Sequence, residues 1–95
     1  MSKAIDRIRK KTHLDFVRSL PCCVTGANGV HAHHLIGHGQ GGMGLKSSDM
    51  LAIPLSPEIH GELHNHGWKA WEEKYGSQWE FVTRTLLQAI EEDYL

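Results

Sequence analysis

Two crowded groups of histidine constrain this chain more than any other feature. Of eight histidines in 95 residues, His31, His33 and His34 fall within VHAHHL, and three more lie in HGELHNH, residues 60–66. Imidazoles at i and i+4 of a helix stack on one face, so His60 and His64 can reach a single tetrahedral or octahedral cation. A cation needs a third protein ligand, which must come from another element. His33 and His34 lie at the end of an expected strand, where neighbouring side chains point to opposite faces. One of them can face the cation while the other is free to act as a base. The fold therefore has to bring a strand end against a helix face.

Local patterns supply such elements. Ile5, Ile8, Thr12, Phe16 and Leu20 recur at helical spacing, which predicts an amphipathic helix over 2–20 with Ser2 as cap and Pro21 as stop. PCCVTGANG reads as turns, followed by a strand over 30–35. IGHGQGGMGLKSS carries five glycines and reads as a mobile loop. LAIPL, residues 51–55, is a second short strand, which Pro54 confines to an edge or an end. Ser56-Pro57-Glu58 is a strong helix start and Gly67 a C-cap, so HGELH lies on a short helix. Trp68, Trp71 and Tyr75 continue helically to Gly76. Ser77 and Glu80 then form a capping-box pattern ahead of a last helix with Trp79, Val82, Leu86 and Ile90 on its core face.

The expectation is one small α+β domain over 1–95: a basic helix (1–20), a β-β-α metal finger (30–66) and C-terminal helices (68–95). No apolar run approaches the ~20 residues of a membrane span and no secretory signal opens the chain, which implies a soluble, cytoplasmic protein. Adjacent Cys22 and Cys23 are badly placed to bridge each other, which fits reduced thiols. Net charge is only -1, but it is polarised. Residues 1–20 hold six basic against two acidic side chains, and residues 69–95 three against six. A basic arm beside a neutral centre is a common footprint for phosphate backbones.

HAHHL, a glycine-containing loop, a short strand and SPEIHGELH together resemble the HNH endonuclease signature. The fuller string HHLIGHGQGGMGLKSSD…PLSPEIHGELH is most similar to phage recombination-enhancement (Ref-type) HNH nucleases. The resemblance covers about residues 20–75. It implies that His33, His60 and His64 are metal ligands and that His34 is the general base. The family's middle Asn has no Asn counterpart here: either Asp49 replaces it, or its role is met differently. Asp49 is the favoured candidate, since it could bond loop amides and orient a histidine. Relatives with a second, structural zinc hold it by Cys pairs. Here Thr25 and Ser56 stand where two of those cysteines would fall, so no structural Cys zinc is expected, and Cys22 and Cys23 read as small buried hydrophobes.

Three imidazoles suit zinc, with magnesium, manganese or nickel as alternative working metals. The resemblance implies DNA as substrate, a 5′-phosphate product, a phage or prophage setting (host-cell cytoplasm) and, weakly, a recombinase filament as partner. Lys46 in the loop and Arg7, Lys10 and Lys11 on the first helix are the candidate backbone contacts. His31 shares a strand face with His33 and is the strongest reserve ligand. His13, His38 and His66 read as exposed or hydrogen-bonded, and the tryptophans as core. The state could be a monomer, or a homodimer through the apolar last helix.

Two other classes compete. In a metalloprotease the glutamate would sit beside the first histidine, whereas Glu62, at i+2 from His60, is turned about 200° away round the helix. A non-catalytic metal module binding DNA or protein would keep His33, His60 and His64 but has no need of His34.

Overall fold

The first histidine cluster sits on a two-stranded antiparallel ribbon. In this computed structural model, which describes residues 8–39 and 46–95, β1 (His31–His34) pairs with β2 (Ala52–Leu55) in the register His31↔Leu55, Ala32↔Pro54, His33↔Ile53 and His34↔Ala52. All four β2 residues are buried, so this strand reads as a plain apolar run. Pro54 is tolerated because each strand of a two-stranded sheet keeps a free edge, and its carbonyl accepts the Cys23 N–H at 3.0 Å.

The other elements are α1 (Lys11–Ser19), a 3-10 turn (Asp49–Leu51), α2 (Pro57–His66), α3 (Trp68–Tyr75) and α4 (Gln78–Glu91). The described residues thus form a small α+β fold with four α-helices. Ile53, Leu55, Ile59, Leu63, Trp71, Phe81, Val82 and Cys22 make the core, placing the ribbon against α2, α3 and α4. Helix α2 begins as its sequence demands: Ser56 Oγ accepts the Ile59 N–H, Pro57 opens the first turn, and Gly67, at φ 86°, ends it. Among the described residues no helix is long and apolar enough to cross a membrane.

Three expectations shift. The described part of the first helix begins at Lys11 rather than running through from residue 2. The Lys10 N–H is taken by the Asp49 carboxylate at 2.7 Å, and the Asp49 N–H by the Ile8 carbonyl at 3.0 Å, so residues 8–10 bond to the turn before β2 and leave Ile8 exposed. Ser2, Ile5 and Arg7 lie outside the described residues, as do residues 40–45 of the glycine-rich segment.

Helix α4 is rotated from the expected face. Gln78, Phe81, Val82, Thr85 and Ala89 are buried, Trp79 and Leu86 pack at the margin, and Ile90 is 55% exposed. The capping box is not made: Ser77 gives no side-chain bond, Glu80 pairs with Arg84, and the Gln78 N–H bonds the Glu72 carboxylate from α3. That outside cap turns Gln78 inward.

His13 differs from its expected exposure. It is fully buried beside Phe16, and neither ring nitrogen has a hydrogen-bond partner. An unsatisfied buried polar ring costs stability, so His13→Leu should raise unfolding stability by about 1 kcal/mol in urea titration. A loss of that size would contradict this account. Gly37, at φ 75°, lies under the Trp68 indole, where an added Cβ would come 2.2 Å from Cε2. Gly37→Ala should therefore destabilise by roughly 2 kcal/mol in the same titration, and a neutral result would refute the close packing.

Candidate metal centre

His33 is the inward-facing residue of β1, 2% exposed, and α2 presents His60 and His64 to it from one face. Ring centroids are 5.0 Å apart for His33 and His60, 5.8 Å for His33 and His64, and 4.7 Å for His60 and His64. One ligand nitrogen from each lies within 4.8 Å of the others. His60 Nε2 and His64 Nε2 face each other at 2.9 Å. Two ring nitrogens at that spacing share either a proton or a cation, and the donor set of three imidazoles fits a borderline transition ion.

The far nitrogens of two of these rings are also engaged. His33 Nε2 lies 2.9 Å from Gln78 Oε1, and His60 Nδ1 lies 3.0 Å from His31 Nδ1. His31 therefore stands behind His60 rather than beside the three converging nitrogens. A cation held by His60 Nε2 would leave that ring's proton on Nδ1, facing His31, the arrangement in which a ligating histidine is usually held.

His34 turns the other way along the strand. Its Nε2 meets Asp49 Oδ1 at 2.7 Å, and Asp49 Oδ2 accepts the Lys10 N–H at 2.7 Å. Among the described residues Asp49 thus bonds a helix-start amide rather than a loop amide, and orients a histidine. The Arg9 guanidinium lies 3.7 Å from the same carboxylate and donates to the carbonyls of Ser47 and Lys46 at 2.9 and 3.1 Å. Among the described residues nothing bonds His34 Nδ1, which leaves it the basic nitrogen. The strict two-face separation expected of His33 and His34 is relaxed: both reach one cleft of about 480 Å³, which Asp49, His60 and His64 also line.

Arg9, Arg18 and Lys46 supply the cleft's positive charge. Of the cations singled out from sequence, Lys46 is there, whereas Lys10 contributes its backbone and Lys11 pairs with Asp15 at 3.0 Å on the outer face of α1. Arg7 is outside the described residues. Arg9 and Arg18 were passed over, although both belong to the basic N-terminal segment. Gln78 was missed because nothing local marks a residue 45 positions from its partner.

The remaining residues fall elsewhere. His38 bonds Glu72 at 2.8 Å and packs on Trp68, and His66 is exposed at the end of α2. Glu62 accepts the Tyr75 hydroxyl and pairs with Lys74, turned from the histidines. Cys22 is buried and Cys23 partly so, both as free thiols. Burial pushes the Cys22 thiol up, but hydrogen bonds involving the Thr25 side chain and the Ser56 backbone outweigh it and bring it down to about 7. Burial pushes Cys23 up to about 12.

Burial sets the charge state of two of the converging rings. Burial, with the neighbouring rings of His60, His64 and His34, lowers His33 to about 4 against the opposing Gln78 hydrogen bond. Burial and the rings of His64 and His31 lower His60 to about 4. Both are neutral donors at pH 7. Burial works against the Asp49 carboxylate, yet the His34 bond, the Lys10 amide and the Arg9 guanidinium prevail and hold its pKa below the usual range.

A family described as "Protein of unknown function (DUF968)" matches residues 3–92. Among curated proteins, "Uncharacterized protein YdfU" of Escherichia coli (strain K12) is 43% identical over 81 residues, 85% of this chain and 23% of that protein. The chain thus spans about a quarter of that relative's length. No solved structure matches the chain.

Because His33 and His60 are depressed from 6.5 to about 4 on folding, the unfolded chain takes up protons first as pH falls. Their contribution is complete above about pH 6.5 and is lost toward pH 4, with a slope of up to about 1.4 kcal/mol per pH unit for each extra proton. In EDTA-treated protein the urea midpoint should fall across this window, and His33→Gln should flatten the fall. A midpoint constant from pH 7 to 4.5 would contradict the assignment.

Proposed function

We propose that this chain, which belongs to the DUF968 family, is a metal-dependent DNA endonuclease domain that hydrolyses phosphodiester bonds with His34 as general base. One observation carries the reading: a three-imidazole cluster and a carboxylate-held histidine open onto the same basic cleft. The order of a strand bearing the histidine doublet, a second strand and a helix bearing H-x3-H supports the resemblance to HNH nucleases. His33, His60 and His64 would hold one divalent ion, with zinc, nickel, manganese and magnesium as the candidates. When bound, it would polarise the scissile phosphate and favour departure of the 3′-oxygen.

The protein's own groups do the rest. Asp49 keeps the His34 proton on Nε2, so Nδ1 can take a proton from water attacking in line. Asp49 in turn is held by the Lys10 amide and Arg9, which fixes the imidazole's direction. Arg18 and Lys46 flank the cleft, where they can meet backbone phosphates without reading bases. A recombinase filament as partner and a phage setting rest on the sequence resemblance alone.

A non-catalytic metal module is the competing reading. The Asp49–His34 pair favours catalysis, because a passive module has no use for an oriented base. Plasmid nicking with added Mg, Mn, Ni or Zn, against an EDTA control, separates the two. His34→Ala should lower nicking by about 10²–10⁴-fold while metal affinity stays within a few-fold. His60→Ala should lose both. Metal-dependent nicking that survives His34→Ala would refute the base assignment, and its absence in wild type under every metal would leave the binding module.

A further inference from the structure

Gln78 is fully buried, yet all its polar atoms are engaged. Its Nε2 donates to the Ile36 carbonyl at 2.9 Å and to Glu72 Oε2 at 2.9 Å. Its Oε1 accepts the Ile36 N–H at 3.3 Å and faces His33 Nε2 at 2.9 Å. A flipped amide would set its oxygen against a carbonyl and a carboxylate and its NH2 against an N–H, so the orientation is dictated by the partners. Oε1 can only accept, and His33 Nε2 must therefore carry the proton. Glu72 Oε2 also bonds the Gln78 backbone N–H at 3.3 Å and His38 Nε2 at 2.8 Å, which anchors the carboxylate behind the amide.

We propose that Gln78, backed by Glu72, is a positioning residue that locks His33 with its proton on Nε2 and so makes Nδ1 the nitrogen His33 offers to a metal ion. This rests on the metal-centre reading above and deepens it. The Glu72 carboxylate pulls on the amide N–H and makes Oε1 a stronger acceptor, so negative charge reaches His33 through a neutral group. His33 gains orientation and basicity while no carboxylate enters the cluster.

The test combines nitrogen NMR with metal titration. In metal-free wild type, long-range ¹H–¹⁵N correlation should show His33 protonated on Nε2, with that N–H in slow exchange with solvent. Cadmium should couple to His33 Nδ1. Gln78→Met, of similar size but without donor or acceptor, should speed exchange of that N–H and weaken Zn²⁺ or Co²⁺ binding by about 10–100-fold. A His33 proton on Nδ1, cadmium coupled to Nε2, or wild-type affinity and N–H exchange in Gln78→Met would overturn the proposal. Should Gln78→Met fail to fold, the wild-type spectra decide alone. Should wild type bind no metal, the metal reading falls, while the metal-free spectra still decide whether Gln78 sets the His33 proton.

Discussion

A buried imidazole with one nitrogen committed to a glutamine is the constraint around which this domain is arranged. His33 is placed by strand pairing opposite Ile53, deep against α2, where water cannot satisfy it. Among the described residues its hydrogen-bond partner is Gln78, at the start of α4, and the Gln78 N–H is itself capped by Glu72 from α3. One polar chain thus ties the ribbon to the last two helices through the same core that Trp71 and Phe81 fill. The rotation of α4 away from its expected apolar face follows: a helix that must bury Gln78 at its first turn cannot also bury Ile90 at its last.

Asp49 plays the matching part on the open side. Its carboxylate bonds His34 and the Lys10 amide, and its own N–H bonds the Ile8 carbonyl. The segment before α1 is therefore stitched to the turn before β2, which carries Arg9 into the cleft. A single carboxylate settles where the first described helix begins, which way His34 points and where a guanidinium lies. Losing it would disturb all three.

Much of the fold was legible because its signals are local. The capping hydroxyl, proline and glycine around α2 and the i, i+4 spacing of His60 and His64 each act within a few residues. That one histidine of the doublet meets that helix face followed from a cation's need for a third ligand; that it is His33 was implied by the resemblance to HNH nucleases. What escaped the sequence depends on distant pairs. Gln78 has no periodic or motif signature, and its burial is settled by His33 and Glu72, 45 and 6 positions away. The Ser77–Glu80 pattern is a sound local cap that lost to that longer-range network. His13 was unreadable for the opposite reason: it is buried by neighbours and bonded to none of them.

The placement of carboxylates gives the site its character. Two acidic groups approach the histidine doublet, and neither belongs to the converging nitrogens: Asp49 is spent on His34, and Glu72 stays one amide removed from His33. Desolvation and mutual repulsion keep His33 and His60 neutral at pH 7. A divalent ion held by neutral donors alone keeps its full formal charge, whereas each ligating carboxylate would cancel one unit of it. In the nuclease reading, that undiminished charge faces a phosphate with Arg18 and Lys46 at the rim, and the nearby negative charge is directed to the one histidine that has to gain a proton. In that reading, adjacent residues of one type acquire different duties from the partners each meets, Gln78 for His33 and Asp49 for His34.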